Sequence, residues 1–194
     1  VLADAPILPL SSATGEGIDG LLAHLEQARA TRVPQRQQGQ FRLAVDRSFT
    51  LAGIGTVVTG TAVAGQVSVG DKLLLSPSGK TARVRGLHAQ NREAAVGHAG
   101  QRLALNLAGV EKSEVERGDW VVAEAAYAPT QRIDARIRVL SGEAQALAHW
   151  TPLHLHLGAV DVGARVVLLE GTPIAPGASA LVQLELDRPI GALH

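Results

Sequence analysis

Residues 41–49 read FRLAVDRSF, and residues 55–61 read GTVVTGT. In the first stretch, the apolar residues Phe41, Leu43 and Val45 recur at every second position, which is typical of a strand that buries one face. The second stretch is rich in β-branched residues and is bounded by glycines, which favours a strand between two turns. Together the two stretches predict that this region of the chain is built from β-strands.

Glycine turns at regular intervals extend this pattern. Gly70-Asp71 and Gly118-Asp119 each precede an apolar run, and each pair is typical of a turn that leads into a strand. Further strands are predicted over residues 81–88 and 101–107. Short strands joined by such turns indicate a small antiparallel barrel.

A second group of strands is predicted after Pro129, where the sequence changes character. The predicted strands cover residues 133–139, 153–157, 165–169 and 180–186. We therefore expect two β domains in tandem, the first over residues 34–126 and the second over residues 127–194.

The beginning of the chain has a different pattern. Residues 7–10 are a short apolar run that predicts a strand, and residues 11–17 are a glycine-rich turn. Apolar residues at helical spacing then predict a helix that ends near Thr31, and the polar residues 32–40 are typical of a linker. We expect residues 1–33 to form a strand-helix stub with its linker, ahead of the two β domains.

The composition excludes several classes of protein. The 194 residues carry 18 basic and 18 acidic side chains, so any contact with nucleic acid must come from local patches. The absence of cysteine excludes a disulfide framework and a thiolate metal site, and it fits a cytoplasmic protein. No apolar run approaches the roughly 18 residues of a membrane span, so no membrane partner is expected. The sequence contains no methionine, which predicts an internal piece of a longer protein.

Several stretches resemble the translational GTPases. Residues 9–18, PLSSATGEGI, resemble the last guanine-binding motif of that superfamily. Residues 41–49 and 55–61 resemble the opening of its domain II. Residues 85–91, RGLHAQN, and residues 150–154, WTPLH, resemble the bacterial selenocysteine-specific elongation factors, and the resemblance extends over nearly the whole chain.

The resemblance implies a fold that is mainly all-β. It consists of two tandem antiparallel β-barrels like those of elongation factor Tu, domain II and domain III, after a short stub from an α/β GTPase domain. In the family, domain III continues with further strands beyond residue 190, so we expect a truncated second barrel. Ser11 and Ser12 are implied to be the remnant of the guanine contact, which the family makes through backbone N–H groups.

The resemblance also separates this chain from its parent protein. The sequence has no G-x-x-x-x-G-K-S/T loop to bind phosphates and no N-K-x-D motif to bind guanine. We therefore expect no catalytic residues and no cofactor here, whereas the parent is a GTPase that binds GTP and Mg²⁺. The implied partner is selenocysteinyl-tRNA, which the family delivers to the ribosome for incorporation at UGA codons. The ribosome and the selenocysteine-insertion mRNA hairpin are engaged through the full-length protein.

Asp46, Arg47 and Arg102 match the aminoacyl pocket of the family. A selenol is more acidic than a thiol, whose pKa is about 8.5, so selenocysteine is expected to be an anion at neutral pH. Serine, which the same tRNA carries before conversion, is neutral. Arginine stays protonated and offers several donors, so Arg47 and Arg102 are expected to hold the selenolate. Asp46 either orients an arginine or meets the α-amino group of the ester, and both roles stay open.

If the arginines are buried, the charge of this pocket predicts a strong preference for selenocysteine over serine. A buried cation that loses its charged partner costs roughly 3–5 kcal/mol. This cost corresponds to a hundredfold or more in affinity, at about 1.4 kcal/mol per tenfold.

Glu114 and Arg117 belong to a Glu-x-x-Arg-Gly stretch that meets the acceptor end of tRNA in related factors. The resemblance implies that Glu114 accepts a hydrogen bond from the ribose 2′-hydroxyl of the terminal adenosine, and that Arg117 lies near the acceptor-end backbone. Other basic residues are candidates for phosphate contacts: Lys80, Arg83, Arg85 and Arg92. Scattered solvated charges explain this last group as well.

Three other interpretations remain open. The chain could belong to another translational GTPase, although a general factor has no use for an anion pocket at Arg47 and Arg102. It could be a module that only docks the GTPase domain and has no affinity for RNA. His154 and His156 share one strand face by period two, and a metal could bind them with Asp161 or Glu170 as a third ligand. The main interpretation expects no metal.

Overall fold

The structure is a computed structural model, and it describes residues 5–31 and 39–191. The chain divides into two compact units, Val1–Pro34 and Gln35–His194. The linker predicted over residues 32–40 lies outside the described residues, except for its last two positions.

The helix predicted in the first unit is confirmed. Helix α1 covers Ile18–Thr31, with Asp19 in its first turn and Arg29 in its last turn. Each of these charges complements the dipole at its end of the helix. Among the described residues, no helix has the length and apolar character needed to cross a membrane.

The short strand predicted over residues 7–10 is wrong, because these residues have no regular secondary structure. A strand needs a neighbouring strand to pair its backbone N–H and C=O groups, and residues 5–31 offer none. The turn that follows is ordered around Ser11. Its N–H donates to the carbonyl of Glu16 at 3.0 Å, and its carbonyl accepts from the N–H of Gly15 at 2.9 Å.

The first β region of the second unit is a closed barrel, which confirms the predicted architecture. Its strands are β1 (Arg42–Leu51), β2 (Gly55–Ala64), β3 (Gln66–Ser68), β4 (Lys72–Ser76), β5 (Thr81–Ala89), β6 (Arg92–Glu93), β7 (Val96–His98), β8 (Arg102–Ala108) and β9 (Trp120–Val122). Six of them pair antiparallel in the order β4-β9-β1-β2-β8-β5, and β4 pairs with β5 to close the barrel.

The alternating apolar residues of the sequence fill the interior of this barrel. Phe41, Leu43 and Val45 are at most 3% exposed, as the periodicity predicts. Leu103 and Leu105 of β8 belong to the same buried cluster. Because full burial of one such side chain contributes roughly 1.5–3 kcal/mol, this cluster stabilises the frame on which the outer face is displayed.

The second group of predicted strands is also confirmed. Its strands are β10 (Pro129–Arg138), β11 (Pro152–Leu157), β12 (Val160–Leu168) and β13 (Ser179–Gly191). They form an antiparallel sheet in the order β10-β13-β12-β11, with a separate core that includes Val166 and Val182. Within the described residues this sheet is open, and β10 and β11 are its edges.

The barrel and the open sheet approach each other closely at two glycines. A Cβ atom on Gly118, whose φ is +97°, would lie 2.7 Å from the Cα of Val160. A Cβ atom on Gly191 would lie 2.4 Å from the Cδ1 of Trp120, which is buried. The absence of a side chain at these positions therefore permits the contact between the two β regions. The predicted division between residues 126 and 127 stays a prediction.

Candidate functional site

A β-bulge in β1 determines which side chains reach the outer face of the barrel. Val45 pairs with Gly60 of β2 and Arg47 pairs with Thr59, so Asp46 is an extra residue without a partner. In a regular strand the inward face of Val45 would be continued by Arg47. The extra residue shifts this alternation by one, and Arg47 is exposed.

Asp46, Thr59 and Arg102 form an ionic cluster on this face. The guanidinium of Arg102 binds the carboxylate of Asp46 through both terminal nitrogens, and its Nη2 lies 2.9 Å from Oδ1. The Thr59 hydroxyl donates to Oδ1 of Asp46 at 2.8 Å and accepts from Nη2 of Arg102 at 3.3 Å. The two-point pair fixes the plane of the guanidinium, which a single contact would not do.

The ionic cluster changes the protonation of its members. The hydrogen bond from Arg102 holds the pKa of Asp46 below its usual value, and Thr59 and Arg47 add to this effect against the cost of partial burial. The same bond raises the pKa of Arg102. Both groups are therefore charged at neutral pH. Arg47 has no ion pair with a described residue.

A polar cavity of roughly 250 Å³ opens beside the ionic cluster. Its lining includes Thr59, His88, Gln90, Asn91, Arg102 and Ala104. Gln90 and Asn91 form the turn between β5 and β6, both with positive φ, and the N–H of Gln90 donates to the carbonyl of Arg102 at 3.1 Å. This bond attaches the turn to β8, so the RGLHAQN stretch reaches the predicted site.

The role of Thr59 and of this turn was missed in the sequence. Thr59 lies within a run of β-branched residues that predicts a strand. A strand already accounts for a threonine at this position, so the sequence offered no reason to assign it a role in the site. The pair Gln90-Asn91 did carry a signal, because asparagine in a two-residue connection between strands is typical of a tight hairpin turn.

An apolar groove of roughly 350 Å³ continues from the polar cavity along the outer face. Its apolar lining includes Phe49, Leu51, Ile54, Val57, Leu87 and Ala104, and its polar lining is His88, Asn91, Glu93 and Asn106. Phe49, Leu51 and Ile54 are 36%, 42% and 48% exposed, although all three are large and apolar. A concave, mainly apolar surface that also carries polar groups is the usual form of a ligand site.

Glu114 and Arg117 are not brought into the ionic cluster, and neither lines the polar cavity or the apolar groove. The Glu114 carboxylate pairs with Lys80 and accepts a hydrogen bond from the N–H of Glu111 at 3.0 Å. The bond from Lys80 is the main reason that the pKa of Glu114 is lowered. Arg117 is exposed in the loop that follows.

The remaining basic candidates are spread over the barrel. Lys80 is bound to Glu114, and Nε of Arg83 donates to the carbonyl of Gly70 at 3.2 Å. Arg85 and Arg92 are exposed. In the first unit, the Ser11 hydroxyl accepts from the N–H of Thr14 at 3.2 Å, which orders the turn that contains both serines.

The histidines of β11 are arranged around one carboxylate. Nδ1 of His154 lies 3.0 Å from Oδ1 of Asp161, and Nδ1 of His156 lies 3.9 Å from the same atom. The contact with His154 is the main cause of the lowered pKa of Asp161. In residues 5–31 and 39–191, no group of three or more His, Cys, Asp or Glu side chains is placed to hold a metal ion.

Two family matches cover most of the second unit. Residues 55–122 match the family described as elongation factor Tu domain 2. Residues 134–194 match the family described as the β-barrel domain of the selenocysteine-specific elongation factor. These two matches follow each other in the order of the closed barrel and the open sheet.

Similar proteins agree with these matches. The selenocysteine-specific elongation factor of Desulfomicrobium baculatum is 36% identical over 193 residues, which is 100% of this chain and 30% of that protein. That of Escherichia coli K12 is 41% identical, over 97% of this chain and 28% of its own length. The apo crystal structure of the translation elongation factor SelB from Methanococcus maripaludis superposes with a TM-score of 0.81 at 26% identity, over 96% of this chain and 44% of that one.

The closed barrel, the open sheet and these matches define the β-barrel region of a translational GTPase. More specifically, the chain belongs to the family of selenocysteine-specific elongation factors. It spans about 30% of the length of the curated relatives that it matches.

Proposed function

We propose that this chain is the aminoacyl-tRNA-binding part of a factor that delivers selenocysteinyl-tRNA to the ribosome for incorporation at UGA codons. The observation that carries this proposal is the charge of the outer face at the bulge. Arg47 and Arg102 contribute +2 there and Asp46 contributes −1, which leaves +1 for an anionic ligand. A selenolate satisfies this charge, whereas the hydroxyl of serine does not.

The ionic cluster supports an orienting role for Asp46. Oδ2 of Asp46 binds Arg102, and Oδ1 binds both Arg102 and Thr59, so the carboxylate is already occupied. An α-amino group would have to displace one of these bonds. A guanidinium has five N–H donors, so Arg102 keeps further donors for the ligand while Asp46 fixes its plane.

The exposure of Arg102 limits the expected discrimination. Its side chain is 52% exposed, and water screens charges at such a position. The hundredfold expected for a fully buried site is therefore too large for this chain. We expect a preference of roughly tenfold for selenocysteinyl-tRNA over seryl-tRNA, which corresponds to about 1.4 kcal/mol.

The apolar groove is the proposed site of the terminal adenosine. Phe49 offers an aromatic side chain there, and unpaired bases stack on aromatic and apolar side chains. Glu114 is proposed to accept the ribose 2′-hydroxyl, since a carboxylate bound to Lys80 still has free lone pairs. Arg117 is proposed to lie near the acceptor-end backbone.

Other activities belong to the proposed parent protein. GTP and Mg²⁺, the ribosome and the mRNA hairpin are partners of the full-length factor in this proposal, and the factor acts in the cytoplasm. Ser11 and Ser12 are proposed as the remnant of its guanine contact. The chain itself is proposed to bind RNA without catalysing a reaction.

The test is to measure the affinity of the chain for selenocysteinyl-tRNA and seryl-tRNA, with wild type and Arg102→Ala. The wild type should prefer the selenocysteinyl form roughly tenfold, and the variant should bind both alike. Arg132→Ala is the matched control, because Arg132 is also an exposed arginine paired with a carboxylate, Glu185, but lies on β10. Equal affinity of the wild type for both tRNAs would contradict the proposal and favour a general aminoacyl-tRNA site.

A further inference from the structure

Trp150, just before β11, is held in a backbone conformation that disfavours its side chain. Its φ is +68°, a left-handed conformation that glycine adopts freely and bulky residues rarely do. The N–H of Trp150 donates to the carbonyl of Val166 at 2.6 Å, and the N–H of Val166 donates to the carbonyl of Thr151 at 3.1 Å. Two residues therefore oppose one residue of β12, which is the arrangement of a G1 β-bulge, and Trp150 occupies the position that is usually glycine.

This bulge displays an aromatic pair at the surface of the open sheet. Trp150 is 46% exposed, and its ring stacks on that of His149 with the centroids 5.7 Å apart and 24° between the planes. Nδ1 of His149 accepts the N–H of Leu168 at 3.2 Å, so this ring is fixed and its proton lies on Nε2, which can donate to a ligand. Residues in strained backbone conformations cluster at ligand and active sites. Because glycine would form the bulge without strain, the fold alone does not account for the tryptophan.

An exposed arginine lies beside the aromatic pair. Arg165 of β12 pairs across the strands with Pro152, and Pro152 follows Trp150 by two residues, which is roughly 7 Å along a strand. Arg165 has no ion pair with any described residue, and Glu185, its neighbour on β13, is bound to Arg132 at 3.2 Å. A flat aromatic surface next to a guanidinium suits a nucleotide, whose base stacks and whose phosphate is an anion.

We propose that Trp150 and His149 form a stacking platform for one unpaired nucleotide of a bound RNA, and that Arg165 binds a phosphate of that nucleotide. The base stacks on the indole face that His149 does not cover, and Nε2 of His149 donates to the base or its ribose. Every base has a π face, so the platform accepts any of the four bases. A base inside a duplex is already stacked on its neighbours, so a duplex does not use the platform. The platform lies on the open sheet and requires no aminoacyl group, so it is separate from the ionic cluster at Arg102.

The experiment is a titration of the 194-residue chain with single-stranded oligouridylate of about eight nucleotides and with an RNA duplex of the same length. The chain has two tryptophans and Trp120 is buried, so quenching of tryptophan fluorescence reports contact with Trp150. The single strand should quench this fluorescence and the duplex should not. Fluorescence anisotropy of a labelled oligouridylate gives the dissociation constant for the wild type and for each variant.

Trp150→Gly separates binding from folding, because glycine removes the ring and also relieves the strain of the bulge. Its dissociation constant should rise roughly tenfold, as expected for the loss of one stacked base. Its unfolding midpoint in urea should not fall. Trp150→Phe keeps an aromatic face and should retain most of the affinity.

Arg165→Ala should weaken binding and reduce the slope of log K against log salt by about 0.7, as expected for one lost phosphate contact to a single strand. Arg138→Ala is the matched control, because Arg138 is also exposed and has no ion pair with a described residue, but lies on β10. An unchanged salt slope in Arg165→Ala would overturn the phosphate contact.

The stacking platform is overturned if the single strand leaves the fluorescence of the wild type unchanged, if the duplex quenches it equally, or if Trp150→Gly keeps the wild-type affinity. The two wild-type titrations decide the question even if a variant does not fold. Since these probes carry no aminoacyl group, a failure here leaves the selenocysteinyl-tRNA test of Arg102 standing, and the reverse also holds.

Discussion

Asp46 and Arg102 lie 56 residues apart in the chain, yet they bind each other through both terminal nitrogens of the guanidinium and both oxygens of the carboxylate. Thr59 closes a triangle with them, since its hydroxyl bonds to each partner. The three residues come from β1, β2 and β8, which are consecutive neighbours in the barrel. The position of Arg102 therefore depends on the correct assembly of three strands.

A double-mutant cycle with Asp46→Asn and Arg102→Ala should measure this pair directly. At about pH 6 the coupling should be at most about 1 kcal/mol, because both side chains are partly exposed. The pKa of Asp46 is lower in the folded chain than in the unfolded one. The contribution of ionised Asp46 to the free energy of unfolding is therefore present above the pKa that Asp46 has in the unfolded chain. It is lost as the pH falls through the pKa that Asp46 has in the folded chain. Urea unfolding should show a smaller coupling at about pH 2 than at about pH 6.

The pair Arg132 and Glu185 provides the reference for this cycle, because it also joins two neighbouring strands at the surface. A coupling between Asp46 and Arg102 that persists unchanged at about pH 2 would contradict the electrostatic origin of the effect.

Thr59→Val should loosen Arg102 without changing the shape of the site. The substitution removes the hydroxyl that donates to Asp46 and accepts from Arg102. A neutral hydrogen bond contributes roughly 0.5–1.5 kcal/mol, so the preference for selenocysteinyl-tRNA should fall by about threefold to tenfold. Competition binding with seryl-tRNA measures this preference.

Thr61→Val is the matched control for Thr59→Val. Thr61 lies two residues further along β2, is exposed on the same face and pairs across the strands with Arg102. It should keep the wild-type preference. An equal loss in both variants would show that the hydroxyl of Thr59 has no special role.

Glu114→Ala should reduce the ability of the chain to distinguish a terminal ribose from a terminal deoxyribose. If the carboxylate accepts the 2′-hydroxyl, the wild type should favour the ribose form by about threefold to tenfold, and the variant should not. Binding of tRNA with adenosine or 2′-deoxyadenosine at its 3′ end tests this. Glu116→Ala, an exposed glutamate two residues away, should behave as the wild type. A ribose preference that survives in Glu114→Ala would remove this residue from the acceptor-end site.

Gly191→Ala should destabilise the chain, because the added methyl group would lie 2.4 Å from the Cδ1 of Trp120. Trp120 is 4% exposed and packs in a buried cluster with Val122 and Ala126, so it has little room to move. Overpacking of this kind costs roughly 1–3 kcal/mol in the free energy of unfolding. Urea unfolding measures the change.

Gly142→Ala is the control for Gly191→Ala, since a Cβ atom at Gly142 meets no atom within 4 Å. Its stability should stay within about 0.5 kcal/mol of the wild type. Wild-type stability in Gly191→Ala would show that the barrel and the sheet can separate at this contact without cost.

The periodicity of single strands was readable in the sequence, but the pairing between strands was not. Phe41, Leu43 and Val45 located β1 and its buried face, because burial depends on local alternation. The bulge at Asp46 has no residue signature, because an extra residue is defined by its partner strand. The run at residues 7–10 failed for the same reason, since apolar character alone does not supply a neighbouring strand.

For the site residues too, the sequence predicted which residues belong to the site but not the contacts that depend on other parts of the chain. The family pattern named Asp46, Arg47 and Arg102, and the structure brings Asp46 and Arg102 into contact with Arg47 alongside. The family pattern could not show that Lys80 binds the carboxylate of Glu114, because Lys80 lies in a hairpin 34 residues earlier in the chain.

The bulge in β1 also bears on how this region can be altered. Removing one residue between Val45 and Ser48 would restore regular alternation and leave one charged side chain instead of two on the outer face of the barrel. In a regular strand of another barrel, the consecutive pair Asp46 and Arg47 would turn one of its two charged side chains towards the interior. An anion-binding version of a neutral barrel therefore requires an insertion of one residue, and substitutions alone at these positions would produce an unfolded or misregistered strand.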